Sequence, residues 1–296
     1  MIVVLGATGN TGSVVAQRLL DAGESVRVVS RSRERLQPLV DAGAEPAVGD
    51  LQDAGFLKET LREAAGVYAL IPPKFDAPDM RGYQREVAQN VASAVRANQV
   101  PYVVTLSSYG AHLPDGGGVV SGLYPLEQHL NDIEGTHVTH LRAGYFFENF
   151  FGSIPVIKDQ GVLGGFPIAG DAKMDMVWTR DIGNTAADKL LQKDFTGNNV
   201  LFLGHERSYS LDQAATILGK AIGKEDLNYV AFPADGAKQA MMAMGFSESL
   251  ADQYVEFSQA ASQGKLMEDN ANHPKKNAET SLEDFARIFA KAYKGA

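Results

Sequence analysis

Glycines at positions 6, 9 and 12 follow the apolar run Ile2-Val3-Val4-Leu5 and lead into the amphipathic stretch Ser13–Ala22. Gly6 suits a tight turn, Gly9 lets the backbone come close to a ligand, and Gly12 lets a helix pack tightly on the strand before it. Thr8, Asn10 and Thr11 complete the turn and share its contacts. Backbone N–H groups in such a turn, together with the partly positive start of the following helix, hold a pyrophosphate. Glycines spaced this way also occur in ordinary turns, so it is the placement between a buried strand and a helix that makes this one a dinucleotide cradle.

The next strand, Ser25–Val29, ends in Ser30-Arg31-Ser32-Arg33. A fold that prefers NAD places a carboxylate there for the ribose hydroxyls. Here Arg31 and Arg33 offer charge-assisted bonds to a 2′-phosphate and Ser30 or Ser32 a hydroxyl, so NADP(H) is the expected cofactor. The other reading of the arginines is a solvated basic start to the helix at Arg35–Ala42. Further on, Ala47–Leu51 reads as a strand whose Asp50 accepts from an adenine amino group while Leu51 packs on the ring; Asp50 equally suits the cap of a helix over Ala54–Ala65. Val67–Ile71 ends in Pro72-Pro73, which lack amide donors and must leave the sheet, so Ile71 and Pro72 are expected under the cofactor. Tyr102–Leu106 ends in Ser107-Ser108, both site candidates because ligands sit at the carboxyl ends of parallel strands; loop satisfaction is the alternative.

These residues require a Rossmann-type α/β fold: a doubly wound parallel sheet with a smaller, mainly helical C-terminal lobe. The expected division is a dinucleotide-binding domain over 1–150, rejoined by about 180–204, and a substrate or partner lobe over 151–296. Asn199–Leu203 is the strand expected to return to the sheet. A chain of 296 residues, 45% hydrophobic, buries enough surface for this. It has no cysteine, which excludes disulfides and thiolate catalysis. Its net charge of −9 argues against direct nucleic-acid binding. No leader or membrane-length apolar run is evident, and a cytoplasmic location is expected. The six histidines lack ligand spacing, so no metal site is expected.

Gly6–Gly12, the arginine-bearing second strand end, Gly49-Asp50-Leu51, Leu106-Ser107-Ser108 and Arg142-Ala143-Gly144-Tyr145-Phe146-Phe147-Glu148-Asn149 together resemble the NmrA-like proteins, atypical members of the short-chain dehydrogenase/reductase superfamily. The resemblance spans almost the whole chain. It implies a Rossmann fold and NADP(H), and either reductase activity of the quinone-reductase or isoflavone-reductase kind or dinucleotide sensing without turnover. Typical superfamily members carry Tyr-x-x-x-Lys after the serine-bearing strand, the lysine lowering the tyrosine's pKa for proton transfer. Here that stretch reads Val120-Ser121-Gly122-Leu123-Tyr124, so the relay is absent and Tyr124 stands where the lysine would be. Tyr124 is then the candidate proton donor or ribose contact, with Ser107 or Ser108 behind it; a half-buried helix-start tyrosine is the alternative.

Tyr145, Phe147 and Asn149 are expected to fold over the nicotinamide, the aromatic run Tyr145–Phe151 forming either an apolar wall or core. Asp181 is expected to cap a helix at Ile182–Leu191, and Met241, Met242 and Met244 to line a core or pocket stripe. Asp269–Glu279 reads as a polar loop. The expected activity is NADPH-dependent reduction of a small, flat, apolar aromatic, quinone-like or conjugated carbonyl compound. The alternative is an NADP(H) sensor with a protein partner. A homodimer fits either reading, and a sugar epimerase is disfavoured by the missing Tyr-Lys pair.

Overall fold

The computed structural model describes residues 1–296. Strand and helix alternate through the first half: β1 (Ile2–Val4), α1 (Asn10–Asp21), β2 (Val26–Ser30), α2 (Arg33–Asp41), β3 (Glu45–Val48), α3 (Ala54–Thr60), β4 (Gly66–Ala69), α4 (Met80–Ala97), β5 (Tyr102–Ser108), α5 (Tyr124–Asn131) and β6 (His137–Ala143). Two later segments, Asn198–His205 and Lys275–Ala278, complete an eight-stranded parallel sheet. From one edge the order is Lys275–Ala278, Asn198–His205, β6, β5, β4, β1, β2, β3. Strands are added outward in both directions from the β1–β4 junction, which opens a crevice at their carboxyl ends.

Alternation along the strands builds both cores. Val3 and Leu5 face α3, α4 and α5 with Val67, Val103 and Val138, whereas Ile2 and Val4 face α1 and α2 with Val28, Tyr68 and Val104. Each such side chain contributes about 1.5–3 kcal/mol on burial. Helix Thr179–Gln192 covers the second face beside α1, and a Cβ at Gly183 would sit 2.6 Å from that of Val14, so glycine sets this helix spacing. A third cluster, with Phe147, Tyr209, Leu218 and Phe285, is the core of the lobe.

Several expected boundaries move. The polar stretch 269–279 contains the edge strand Lys275–Ala278, where two lysines suit an exposed edge. Asp53, not Asp50, caps α3, accepting from Phe56 N at 2.9 Å. Asp181 lies inside the first turn of Thr179–Gln192 and instead accepts from Thr280 N at 3.0 Å. Only Met241 of the three methionines is buried; Met244 is 70% exposed. No helix is long and apolar enough to cross a membrane.

Candidate functional site

Gly6 adopts φ +64° and turns the chain out of β1. A Cβ at Gly12 would lie 2.3 Å from the Gly6 carbonyl oxygen, so α1 approaches the turn as only glycine permits. Gly9 is the N-cap of α1 and no side chain caps the helix, which leaves its first-turn amides for an anion. This backbone fits a dinucleotide pyrophosphate.

A cavity of about 1060 Å³ begins at this turn and ends in the lobe. Gly6, Thr8, Gly9, Asn10 and Thr11 line one end, joined by Ser30 and Arg31 from the end of β2. Asp50, Leu51, Ile71 and Pro72 border the middle, and Ser107, Ser108, Tyr145 and Asn149 lie beyond them. Four expected residues are not in the lining. Gly12 is packed beneath the turn. Arg33 starts α2 and its exposed side chain points elsewhere, while Arg35, half a turn on, lines the cavity and donates to the Thr8 carbonyl at 3.0 Å. Phe147 is fully buried in the lobe core, its ring 5.3 Å from that of Phe285. Tyr124 begins α5, directly after the 3-10 segment Gly118–Leu123, and lies outside the lining.

Ser107 is committed below the sheet. Its hydroxyl donates to Glu127 Oε1 at 2.5 Å, and Glu127 receives Arg142 Nη2 at 2.6 Å. Burial would raise the Glu127 carboxyl, but the Arg142 guanidinium holds it below the usual range, so it is an acceptor and Ser107 must donate. Arg142 also reaches Asp269 at 2.5 Å, and the Leu266 and Met267 side of that turn lines the cavity. Asp175 is a second buried acid. It accepts from Tyr109 Oη at 2.8 Å and Ser208 Oγ at 2.5 Å, and pairs with Lys275 Nζ at 2.6 Å. Its backbone oxygen accepts from Tyr145 N at 2.9 Å, and a Cβ on Gly144 would strike it at 2.3 Å. Asp175 thereby ties four chain segments at the far end of the cavity. An acid between Met174 and Met176, in an otherwise apolar strand, was its one visible signal.

The lobe end is aromatic. Phe166 and Tyr254 stack at 5.1 Å with an interplanar angle of 15°, and Phe257, Met174 and Leu250 adjoin them.

A model of the NmrA-like family matches residues 1–286. The chain belongs to the NmrA-like family. Over 272 residues it is 28% identical to quinone oxidoreductase 2 of Escherichia coli, covering 91% of each chain. It is 27% identical to an NAD(P)H azoreductase of Xenophilus azovorans, covering 85% of this chain and 84% of that one. The structure of Citrobacter sp. triphenylmethane reductase complexed with NADP(H) superimposes with a TM-score of 0.80 at 20% identity, over 98% of this chain and 100% of that one, which identifies the fold.

Proposed function

We propose that this chain is an NADP(H)-dependent reductase of a small, flat, aromatic, quinone-like or conjugated carbonyl compound. The observation that carries this reading is a single cavity joining a glycine phosphate cradle to an aromatic wall. The names of the azo- and quinone-reducing relatives support the same class.

In this reading the glycine turn and the start of α1 hold the pyrophosphate, Arg31 and Arg35 with Ser30 hold the 2′-phosphate, and Asp50 with Leu51 borders the adenine. Ile71 and Pro72 support the middle of the dinucleotide, and Ser108 with the Gly144–Tyr145 backbone borders its reacting end. When bound, the dinucleotide supplies a hydride to the substrate. The protein supplies orientation, an apolar wall and exclusion of water. A quinone product collects its protons from water, so this chemistry tolerates the missing Tyr-Lys relay.

The test is loss of NADPH absorbance against a panel of quinones, azo dyes, enones and imines. Consumption above background with one class supports the reductase. NADPH binding without consumption by any class overturns it in favour of a sensor.

A further inference from the structure

Phe75 lines the cavity, yet its side chain is 47% exposed. It stands in the loop between β4 and α4, and that loop is tied to the lobe. The Phe75 carbonyl accepts from Ser247 N at 2.8 Å, and Met80 N donates to Ser249 Oγ at 3.0 Å. Pro72, Pro73 and Pro78 remove further backbone freedom from the same segment. The ring is thus held in place with about half of its surface uncovered.

From Phe75 a row of rings leads inward. The Phe75 centroid lies 4.9 Å from that of Phe246, Phe246 lies 5.9 Å from Tyr254, and Tyr254 lies 5.1 Å from Phe166. Phe75, Tyr254 and Phe166 border the cavity, and Phe246 joins the first two from outside the lining. On helix Glu248–Ser262, Leu250, Tyr254 and Phe257 recur at spacings of four and three, so one face of that helix borders the cavity. A Cβ on Gly118 would lie 2.1 Å from the Gln253 carbonyl oxygen, so close backbone contact fixes the helix there. Polar side chains of the lining next to Phe75 and on α4 are engaged or in solvent: Lys74 donates to Gln52 Oε1 at 2.6 Å, Gln84 Nε2 to the Val119 carbonyl at 2.9 Å, and Asp76 is exposed. Ser108, Asp175 and Thr179 also line the cavity, but they belong to β5, to the segment before Met176 and to the start of helix Thr179–Gln192.

Flat rings gain offset or edge-to-face contact from each aromatic side chain they reach. Four rings in a row present more surface than one six-membered ring covers. We infer that Phe75, with Tyr254 and Phe166, forms a distal subsite that stacks on the second ring of a substrate built from two or more fused or linked planar rings. The ring to be reduced lies at the dinucleotide, and the distal ring extends along the row toward solvent, covering the bare face of Phe75. Its place in turnover rests on the reductase reading; the stacking itself does not. Contact with the distal ring holds the reacting ring in register without entering the chemistry.

The test compares phenol with 4-phenylphenol, titrated by calorimetry into the full chain saturated with NADP+, which fills the cradle and gives no hydride. The two-ring probe should bind more tightly. Phe75→Ala should lower the ratio of the two association constants about 3- to 10-fold, the worth of one aromatic pair. Phe75→Leu keeps apolar bulk without a flat ring and should lose most of the same ratio, whereas Phe75→Tyr should retain it. Melting temperature and NADP+ affinity report separately on the fold and the cradle. An undiminished ratio in Phe75→Ala or Phe75→Leu, or failure of the unmutated chain to bind 4-phenylphenol, overturns the subsite. In turnover, the ratio of kcat/KM for 9,10-phenanthrenequinone to that for 1,4-benzoquinone should fall by a similar factor in Phe75→Ala, mainly through KM. If quinones consume NADPH but the binding ratio ignores Phe75, the subsite falls and the reductase stands. If no compound consumes NADPH but the ratio depends on Phe75, the reductase falls and the stacking subsite stands.

Discussion

In the proposed reading Gly9 bears its side of the phosphate cradle through backbone alone. A Cβ there would come within 3.3 Å of the Gly6 oxygen, and larger groups would extend into the space above the α1 amides. Gly9→Val should therefore abolish dinucleotide binding by calorimetry while the unfolding transition persists, because the residue is exposed. Arg31 and Arg35 both line the cavity, and in the proposed reading they are the pair that holds the 2′-phosphate. Removing both, Arg31→Ala with Arg35→Ala, should erase most of a preference for NADPH over NADH, with a charged contact worth roughly 1.5–3 kcal/mol. Arg33→Ala should leave the ratio of the two affinities unchanged. Glycine positions were legible because a turn imposes its requirement locally. Which of Arg33 and Arg35 lines the cavity was not, since it depends on where α2 starts: Ser32 caps that helix by accepting from Arg35 N at 3.3 Å, and this phases the arginines.

At the scale of elements, β5, β6 and α5 are joined by polar groups inside the sheet layer. Thr105 and His140 are paired across β5 and β6, as are Ser107 and Arg142. His140 Nδ1 lies 2.9 Å from Thr105 Oγ1, and its Nε2 lies 3.0 Å from Asn131 Oδ1, an acceptor, so Nε2 carries the proton and the ring is neutral. Burial lowers its pKa from 6.5 to about 4, against the pull of Glu127 and with that of Arg142. The unfolded chain thus takes up the proton first as pH falls. Stability present above pH 6.5 should be lost progressively down to about 4, by about 3 kcal/mol from this residue. Urea unfolding across that range measures it, and His140→Gln should flatten the profile. Glu127 has the same direction in a lower window: its depressed carboxyl stabilises the fold above its ordinary value near 4.5, and that support is lost as pH falls through the folded value. Glu127→Gln, which leaves Arg142 with one carboxylate partner, should cost about 3 kcal/mol in the same unfolding assay at pH 7. The strands and helices here were legible from their apolar period. The acid–base partners were not, because Arg142 meets Asp269 and Tyr109 meets Asp175 across 127 and 66 residues. Tyr124 stands outside the cavity lining, at the start of α5, and a count along the sequence does not register where the segment Gly118–Leu123 leaves the helix start.

Over the whole molecule, the lobe is bound to the dinucleotide-binding sheet by the chain's later segments. Lys275 pairs with Asp175, and the strand it begins lies against Asn198–His205. Ending the chain at residue 274 would remove that ion pair, the outer strand and helix Leu282–Gly295, whose Phe285 and Phe289 are fully buried. Such a truncation should lose cooperative thermal unfolding and expose enough apolar surface to bind a hydrophobic dye. A soluble, cooperatively melting product would refute this dependence. The lobe was the least legible part of the sequence because its strands are two residues long and its helices bury side chains against several partners, which blurs any period.

The outer strand has a further consequence during synthesis. Its neighbour ends at His205, and Lys275 is made 70 residues later. At roughly 5–20 residues per second, the ribosome takes several seconds to deliver it. Throughout that interval the nascent sheet carries an open edge at Phe202–His205, able to pair with another growing chain. Crowded polysomes should therefore favour co-translational aggregation of this protein, and a chaperone that holds the emerging edge should raise its soluble yield more than one that acts after release.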